Sequence, residues 1–484
     1  MGLFNALPDD VLLEILVQLQ HNRQDLAVLT LVSRRLCPLA RRILYRHVGN
    51  LPRRRQELLI KVLEDRPDLR VHTHSCAPIV INQDGTVNHD SFNYVALFPN
   101  LVELRLIRKS LAIAPDDGSS ELMLTSQRRG PSYECQFLDD LPLVSLKKIQ
   151  LDAGHDAGPR GSSGFTITEI LRCMQFPKLR TLKAYQLGVL EDGLSTSLPA
   201  QKSNITSLEL TGSSLWSVKA SLIHTLLLCC TQLRRLCCQV PMETRANAFG
   251  PTRLLEDISP AALRNMLEPV RQSLEELYLR NRPWGVSYDD TKLDLSDFSR
   301  LEVLQLPSPC LLPPGRPCEG RKNLHYYLPP RLKQLHLDFA RTSGIFYYHG
   351  DPDFKSQRPS SMLADRYDWL FQFPEDKSDY YPHLQSISMI DPPGSSGWRD
   401  WVQAKWQPPP YVATSFAERG IKLDIRISTP HPDQAPEAWK SEDPSRWPKP
   451  SLRPWDFDGV QGPSIEPEDT ESLLKSLFGM GPGQ

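Results

Sequence analysis

Ser273-Leu274-Glu275-Glu276-Leu277-Tyr278-Leu279-Arg280 sets leucine at the first, fourth and sixth positions after a turn. In a strand, alternate side chains face opposite ways, so Leu277 and Leu279 share one face, Tyr278 takes the other, and Leu274 closes the turn. The same spacing returns as Leu101-Leu104-Leu106, Leu146-Ile149-Leu151, Leu179-Leu182-Ala184, Ile205-Leu208-Leu210 and Leu233-Leu236-Cys238. It continues as Leu301-Leu304-Leu306, Leu332-Leu335-Leu337 and Leu384-Ile387-Met389. Phe98-Pro99, Phe176-Pro177, Leu328-Pro329-Pro330 and Tyr381-Pro382 introduce several of them.

Any leucine-rich chain offers single triplets by accident, but a series of them in order, several separated by roughly 26 to 33 residues, is a repeat. Apolar helical stretches fall between them, over Thr166 to Gln175, Ser217 to Cys230, Pro260 to Gln272 and Met362 to Phe373. Strand followed by helix, repeated, predicts a parallel sheet with helices on one side. The pattern resembles leucine-rich repeats, in a degenerate form: the Asn or Cys that normally follows the strand is missing and long insertions interrupt it. The residue between the two inward positions should line an exposed concave row, giving Arg105, Gln150, Lys183, Glu209, Tyr278, Gln305 and His336. Mostly polar side chains suit an open sheet face, and as a row they are the candidate substrate surface.

Ahead of the repeats lies Leu7-Pro8-Asp9-Asp10-Val11-Leu12-Leu13-Glu14-Ile15-Leu16. Pro8 suits a first helical turn and the two aspartates face its positive end. Val11, Leu12, Ile15, Leu16 and Leu19 share one broad face. A second helix is expected from Asp25, with Leu26, Leu29 and Val32 as its stripe, and Pro38 is expected to end it and open a third running to Arg46. Three helices in so short a stretch bury little surface, so part of this apolar area should seek a partner or the body.

These residues resemble the F-box, in its fungal type: Leu7-Pro8, Glu14-Ile15-Leu16, Asp25-Leu26, Val32-Ser33-Arg34-Arg35-Leu36 and Ala40-Arg41-Arg42-Ile43-Leu44-Tyr45-Arg46-His47-Val48. Leu36 stands where many F-boxes have Trp. The resemblance covers about a tenth of the chain, the usual extent of an appended module. It implies the substrate-recognition subunit of a cullin-based (SCF-type) ubiquitin ligase, docked on the small adaptor subunit and holding a protein substrate. The docking residues it points to are Leu7, Pro8, Leu12, Ile15, Leu16, Leu26, Val32 and Leu36. The alternative is a non-ligase solenoid scaffold whose N-terminal helices cap its own stack.

The fold expected is therefore α/β: a three-helix F-box over 1–50, a linker helix within 51–75 and an irregular leucine-rich-repeat-like solenoid over 76–428. A Pro-rich tail over 429–484 carries Trp439, Trp447 and Trp455 and is expected to be largely disordered. Polar insertions at Pro115 to Ser132, Gly154 to Gly164 and Tyr347 to Ser361 read as loops. A closing unit should contain Trp398, Trp401 and Trp406 and then the strand Gly420 to Ile427.

Composition narrows the function. Formal net charge is -1, which favours neither nucleic acid nor an anionic membrane, and no apolar run is long enough to span a bilayer. The expected location is cytosol or nucleus. Ten cysteines, none in Cys-x-x-Cys spacing, are expected to be reduced. Cys229-Cys230 and Cys237-Cys238 read as core positions. Cys310, Cys318 and His325 match no zinc spacing, so no metal or cofactor is expected. Gly-x-Gly-x-x-Gly, Walker, His-Glu-x-x-His and Gly-x-Ser-x-Gly signatures are all missing, and a non-catalytic receptor is the expectation.

Overall fold

The triplets become adjacent rungs of one sheet. The computed structural model describes residues 6–49, 53–76, 79–81, 95–108, 138, 141, 143–152, 165–187, 202–212, 219–246, 253–280, 286, 291–312, 321–339, 369–391, 401–405, 408 and 410–430. The rungs are β4 (Glu103–Arg108), β5 (Lys148–Asp152), β6 (Thr181–Leu187), β7 (Ser207–Gly212), β8 (Arg235–Gln239), β11 (Glu276–Arg280), β12 (Val303–Pro307), β13 (Gln334–Asp338) and β14 (Ser386–Ile390). Together with β1 (His47–Val48), β2 (Ser75–Cys76), β3 (Ile79–Ile81), β15 (Trp401–Lys405) and β16 (Lys422–Pro430) they make a 14-stranded sheet. Neighbours are parallel throughout, except that β15 runs antiparallel on β16 at the far edge.

Register explains the recurrence. Leu104, Ile149, Leu182, Leu208, Leu236, Leu277, Leu304, Leu335, Ile387 and Leu423 stand level across the strands. All but Leu423 are fully enclosed. Each such leucine removes enough apolar area to contribute about 1.5–3 kcal/mol, so the ladder is the chief source of the sheet's stability. The first residue of each triplet ends a tight turn: the N–H of Leu101, Leu179, Leu301 and Leu384 donates to the carbonyl of Phe98, Phe176, Phe298 and Tyr381. That is the physical role of the introducing aromatics, of which Phe98, Phe298 and Tyr381 are buried in the same core.

Helices line the sheet where the connections are long enough. These are α5 (Ile167–Cys173), α6 (Ala220–Cys229) and α7 (Pro260–Leu267), with α6 touching both of the others. Each is shorter than the sequence suggests. In α7 the cause is Pro269, which lacks a donor N–H, and Glu268–Val270 tightens into a 3₁₀ turn. Between β12 and β13 only 3₁₀ turns appear among the described residues, at Ser308–Cys310 and Leu324–Tyr326. Helical backbone at 369–375 matches the end of the expected helix from Met362, whose start lies outside the described residues. An antiparallel pair, β9 (Met242–Ala246) with β10 (Arg253–Asp257), interrupts the repeat after β8 and carried no sequence signal.

The N-terminal module has its own core. Leu16, Leu26, Ala40 and Ile43 form a cluster separate from that of the sheet, enclosed by α1 (Asp9–Gln18), α2 (Arg23–Val32) and α3 (Leu36–Leu44). The helix α2 starts at Arg23 rather than Asp25, because Asn22 is the cap whose side chain accepts the Asp25 N–H. It ends at Val32 because Ser33 turns extended and its Oγ accepts from the Arg35 and Leu36 N–H groups; Pro38 sits inside the first turn of α3 instead. Arg35 ties the two ends together, donating to the Leu7 carbonyl and, at 2.8 Å, to Asp9.

The module then joins the sheet directly. Its closing strand β1 pairs with β2, and the His74 and Ser75 N–H groups donate to the Arg46 carbonyl. Val48 belongs to the sheet's core, so the edge rung is contributed by residues before position 50. The intervening α4 (Arg53–Asp65) buries Leu63 in that core.

Candidate functional site

Two surfaces are available, one apolar and one polar. On the module, the broad stripe of α1 divides: Leu12 and Leu16 turn inward, while Val11 and Ile15 remain 40% and 42% exposed. On α2, Leu26 is fully enclosed, whereas Val28, Leu31 and Val32 are 55%, 87% and 63% exposed. Their spacing puts these three on one helical face. A groove of about 260 Å³ beside them is lined by Leu31, Arg34, Cys37, Pro38 and Arg41 among others.

The eight residues expected to dock a partner therefore separate by burial. Leu12, Leu16 and Leu26 are corrected from surface to interior: the module's small core needs every large apolar side chain that its three helices can turn inward. Ile15, Val32 and Pro8 face solvent, and Leu7 and Leu36 are half-buried. Val11, Val28 and Leu31 were missed, although the i, i+3, i+4 spacing of 28, 31 and 32 carried the signal. Val11, Ile15, Val28, Leu31 and Val32 therefore make the exposed apolar surface of the module.

On the sheet, the expected row stands in one register: Arg105, Gln150, Lys183, Glu209, then Tyr278, Gln305 and His336. Cys237 fills the gap between Glu209 and Tyr278, and Ser388 and Asp424 extend the row. Cys237 is buried as expected, 2% exposed, but in register with the polar row, while Cys238 enters the leucine core. Burial raises the Cys237 thiol, with Arg280 opposing.

Cross-strand pairing organises this face. Arg105 meets Asp152 at 2.6 Å, Lys183 meets Glu209 at 2.5 Å, and Arg235 meets Glu276 at 3.3 Å. The Tyr278 ring lies between the guanidiniums of Arg235 and Arg280, 4.9 and 5.1 Å from its centre, and its hydroxyl donates to Glu276. Burial raises the Tyr278 hydroxyl, so that it stays protonated. Arg280 donates to Gln305, and Gln305 Nε2 donates to Asp338 at 3.0 Å. Burial lowers the titration of His336, and the positive charge of Arg280 lowers it further.

Asp338 is the most perturbed carboxyl of the face, pushed up to about 6 by burial against the opposing pull of Gln305 and Arg280. The folded chain holds this proton more tightly than the unfolded chain, whose ordinary value is 3.8. Its contribution to stability is therefore complete below pH about 4 and is lost as pH rises through about 6. Asp338→Asn should remove that loss, raising stability above pH 6 by about 2 to 3 kcal/mol and leaving it unchanged near pH 4. Melting curves of both proteins across this range check it; parallel curves would contradict it.

His325 hydrogen-bonds Asp376 at 2.9 Å and stacks on Tyr380, Cys310 is fully buried, and Cys318 lies outside the described residues. Among the described residues no group of three or more His, Cys, Asp or Glu is arranged to hold a metal ion, and no helix is long and apolar enough to cross a membrane. The three polar insertions, Trp398, Trp406 and the chain from 431 onward also lie outside the described residues.

A separately cored helical module, bearing an apolar face and joined to a parallel sheet, defines an α/β solenoid-like fold with a helical unit at one end. The family model described as F-box-like matches residues 4–50, so the chain carries an F-box-like domain over that module. No curated protein matches the chain.

Proposed function

We propose that the chain is the substrate-recognition subunit of a cullin-based (SCF-type) ubiquitin ligase. Residues 4–50 dock on the small adaptor subunit, and the repeat body, a degenerate leucine-rich-repeat solenoid of the type found on fungal F-box proteins, holds a protein substrate. The observation that carries this reading is the coincidence of the F-box-like match with the module whose α2 leaves Val28, Leu31 and Val32 uncovered. A helix that served only to cap its own stack would turn that face inward.

The docking surface is then Leu7, Pro8, Ile15, Val32 and Leu36, joined by Val11, Val28 and Leu31, with Leu12, Leu16 and Leu26 holding its shape. The substrate surface is the row from Arg105 to His336. No bond is made or broken by this chain; its contribution is proximity, the conversion of a bimolecular encounter into a positioned one. The junction suits that role, because β1 of the module is itself a rung of the sheet and fixes docking unit and receptor face together.

Co-expression of the full chain with the adaptor tests the reading. A one-to-one complex is expected, and replacing Leu7 and Pro8 together by alanine should weaken it by about 2 to 4 kcal/mol, since an apolar anchor and a helix start are lost together. Full retention of binding by that variant would count against the assignment.

A further inference from the structure

Where the module meets the first rungs, a cleft of about 290 Å³ opens on the polar face of the sheet. Its wall includes Arg23, His47, Ser75, Glu103, Arg105 and Lys148, drawn from α2, β1, β2, β4 and β5. Three full cations thus meet two carboxylates, Glu103 in the wall and Asp152 beside Arg105. Arg105 is matched by Asp152, and Lys148 reaches Glu103 only at 3.3 Å with both side chains well exposed, a pairing that competes weakly with an incoming anion. The Arg23 guanidinium donates to the His47 carbonyl and, among the described residues, meets no carboxylate. Gly49 makes room for it: a Cβ there would stand 3.3 Å from its Nη2.

Burial lowers the titration of His47 most, and Arg46, His74 and Arg23 lower it further against the pull of Glu103. Its Nδ1 shares a 2.6 Å hydrogen bond with Ser75 Oγ, which leaves Nε2 for a ligand. Farther along the same face Lys183 meets Glu209, Arg235 meets Glu276 at 3.3 Å and Arg426 meets Asp424, while Arg280 rests on Gln305 and Tyr278.

We infer that this cleft receives an acidic segment of a protein bound by the body, its carboxylates meeting Arg23, Lys148 and Arg105. The wall supports a peptide over a free small molecule, because it carries charged side chains from five elements and is continuous with the sheet face. It spans four neighbouring strands, about 14 Å, the length of roughly four extended residues. The inference rests on reading the body as a receptor, and it places one end of the bound segment beside the docking module.

The test uses the full chain alone, without adaptor, so its failure leaves the docking assignment untouched. Fluorescein-labelled hexaglutamate at about 50 mM salt should bind saturably, and Arg23→Gln or Lys148→Gln should each weaken it about tenfold with melting temperature unchanged. Arg426→Gln, at the opposite end of the sheet, should have no effect. A hexaglutamate carrying a photo-crosslinker should label wild type within residues 23–49 and 103–150, a readout that needs no variant. Absence of saturable binding, equal weakening by Arg426→Gln, labelling elsewhere, or displacement by inorganic pyrophosphate at concentrations equimolar with the peptide would each overturn the inference.

Discussion

Replacing Leu31 and Val32 together by aspartate is expected to abolish capture of the adaptor while leaving the melting temperature unchanged. Both side chains project from α2 into solvent, 87% and 63% exposed, so the folded chain gains almost nothing from them. A partner seated on them would bury both, and hot-spot losses of about 2 to 4 kcal/mol correspond to roughly 30- to 1,000-fold in affinity, to which a desolvated carboxylate adds. The contrast is Leu26, one and a half turns away and fully enclosed in the module's core. Leu26→Ala should cost about 2 to 5 kcal/mol of stability and lose adaptor binding only because the module melts. Affinity and melting temperature, measured together on the two variants, separate surface from core; adaptor capture retained by the aspartate pair would remove the docking face from the account.

The second large effect lies inside the body. Glu169 in α5 is 2% exposed, receives the Thr166 N–H in a capping box, and pairs with the guanidinium of Arg108 at the end of β4. Arg108 in turn lies over the Phe165 ring at 4.6 Å. Deleting the carboxylate removes an ion-pair partner of the buried Arg108 and the cap of α5, and Glu169→Ala should destabilise by about 3 to 5 kcal/mol. Arg108→Met with Glu169→Leu removes both charges at similar volume and should recover most of the loss. Denaturant unfolding of the single and double variants decides the point. If the double variant is no better than the single, the cost arises from packing or capping and not from the loss of the ion pair.

Much of this fold was legible because its repeat is written in side chains that alternate on a strand. Leu277 and Leu279 inward with Tyr278 outward is a local rule, and applied along the chain it placed the strands and the register of the exposed row. Cys237 escaped because a cysteine is equally at home in a core or among buried polar neighbours, and only the register with Glu209 and Tyr278 decides. The docking face was half legible. Periodicity finds apolar stripes, but on α1 Leu12 and Ile15 are both compatible with one broad face, and which of them turns inward depends on where α2 and α3 lie. Glu169 and Arg108 were invisible for the same reason, being 61 residues apart and joined only when α5 folds onto the sheet. The hairpin of β9 and β10 has no counterpart in the repeat, so no period could announce it.

The central claim is that the F-box-like module is a docking unit held rigidly to an open receptor face. Hydrogen-exchange mass spectrometry of the full chain, with and without saturating adaptor, tests it most directly. Slowed exchange confined to residues 7–18 and 28–41, with the rungs from β6 to β13 unchanged, is the result expected. A complex that instead protects the sheet face and leaves α2 and α3 exchanging as before would contradict the account.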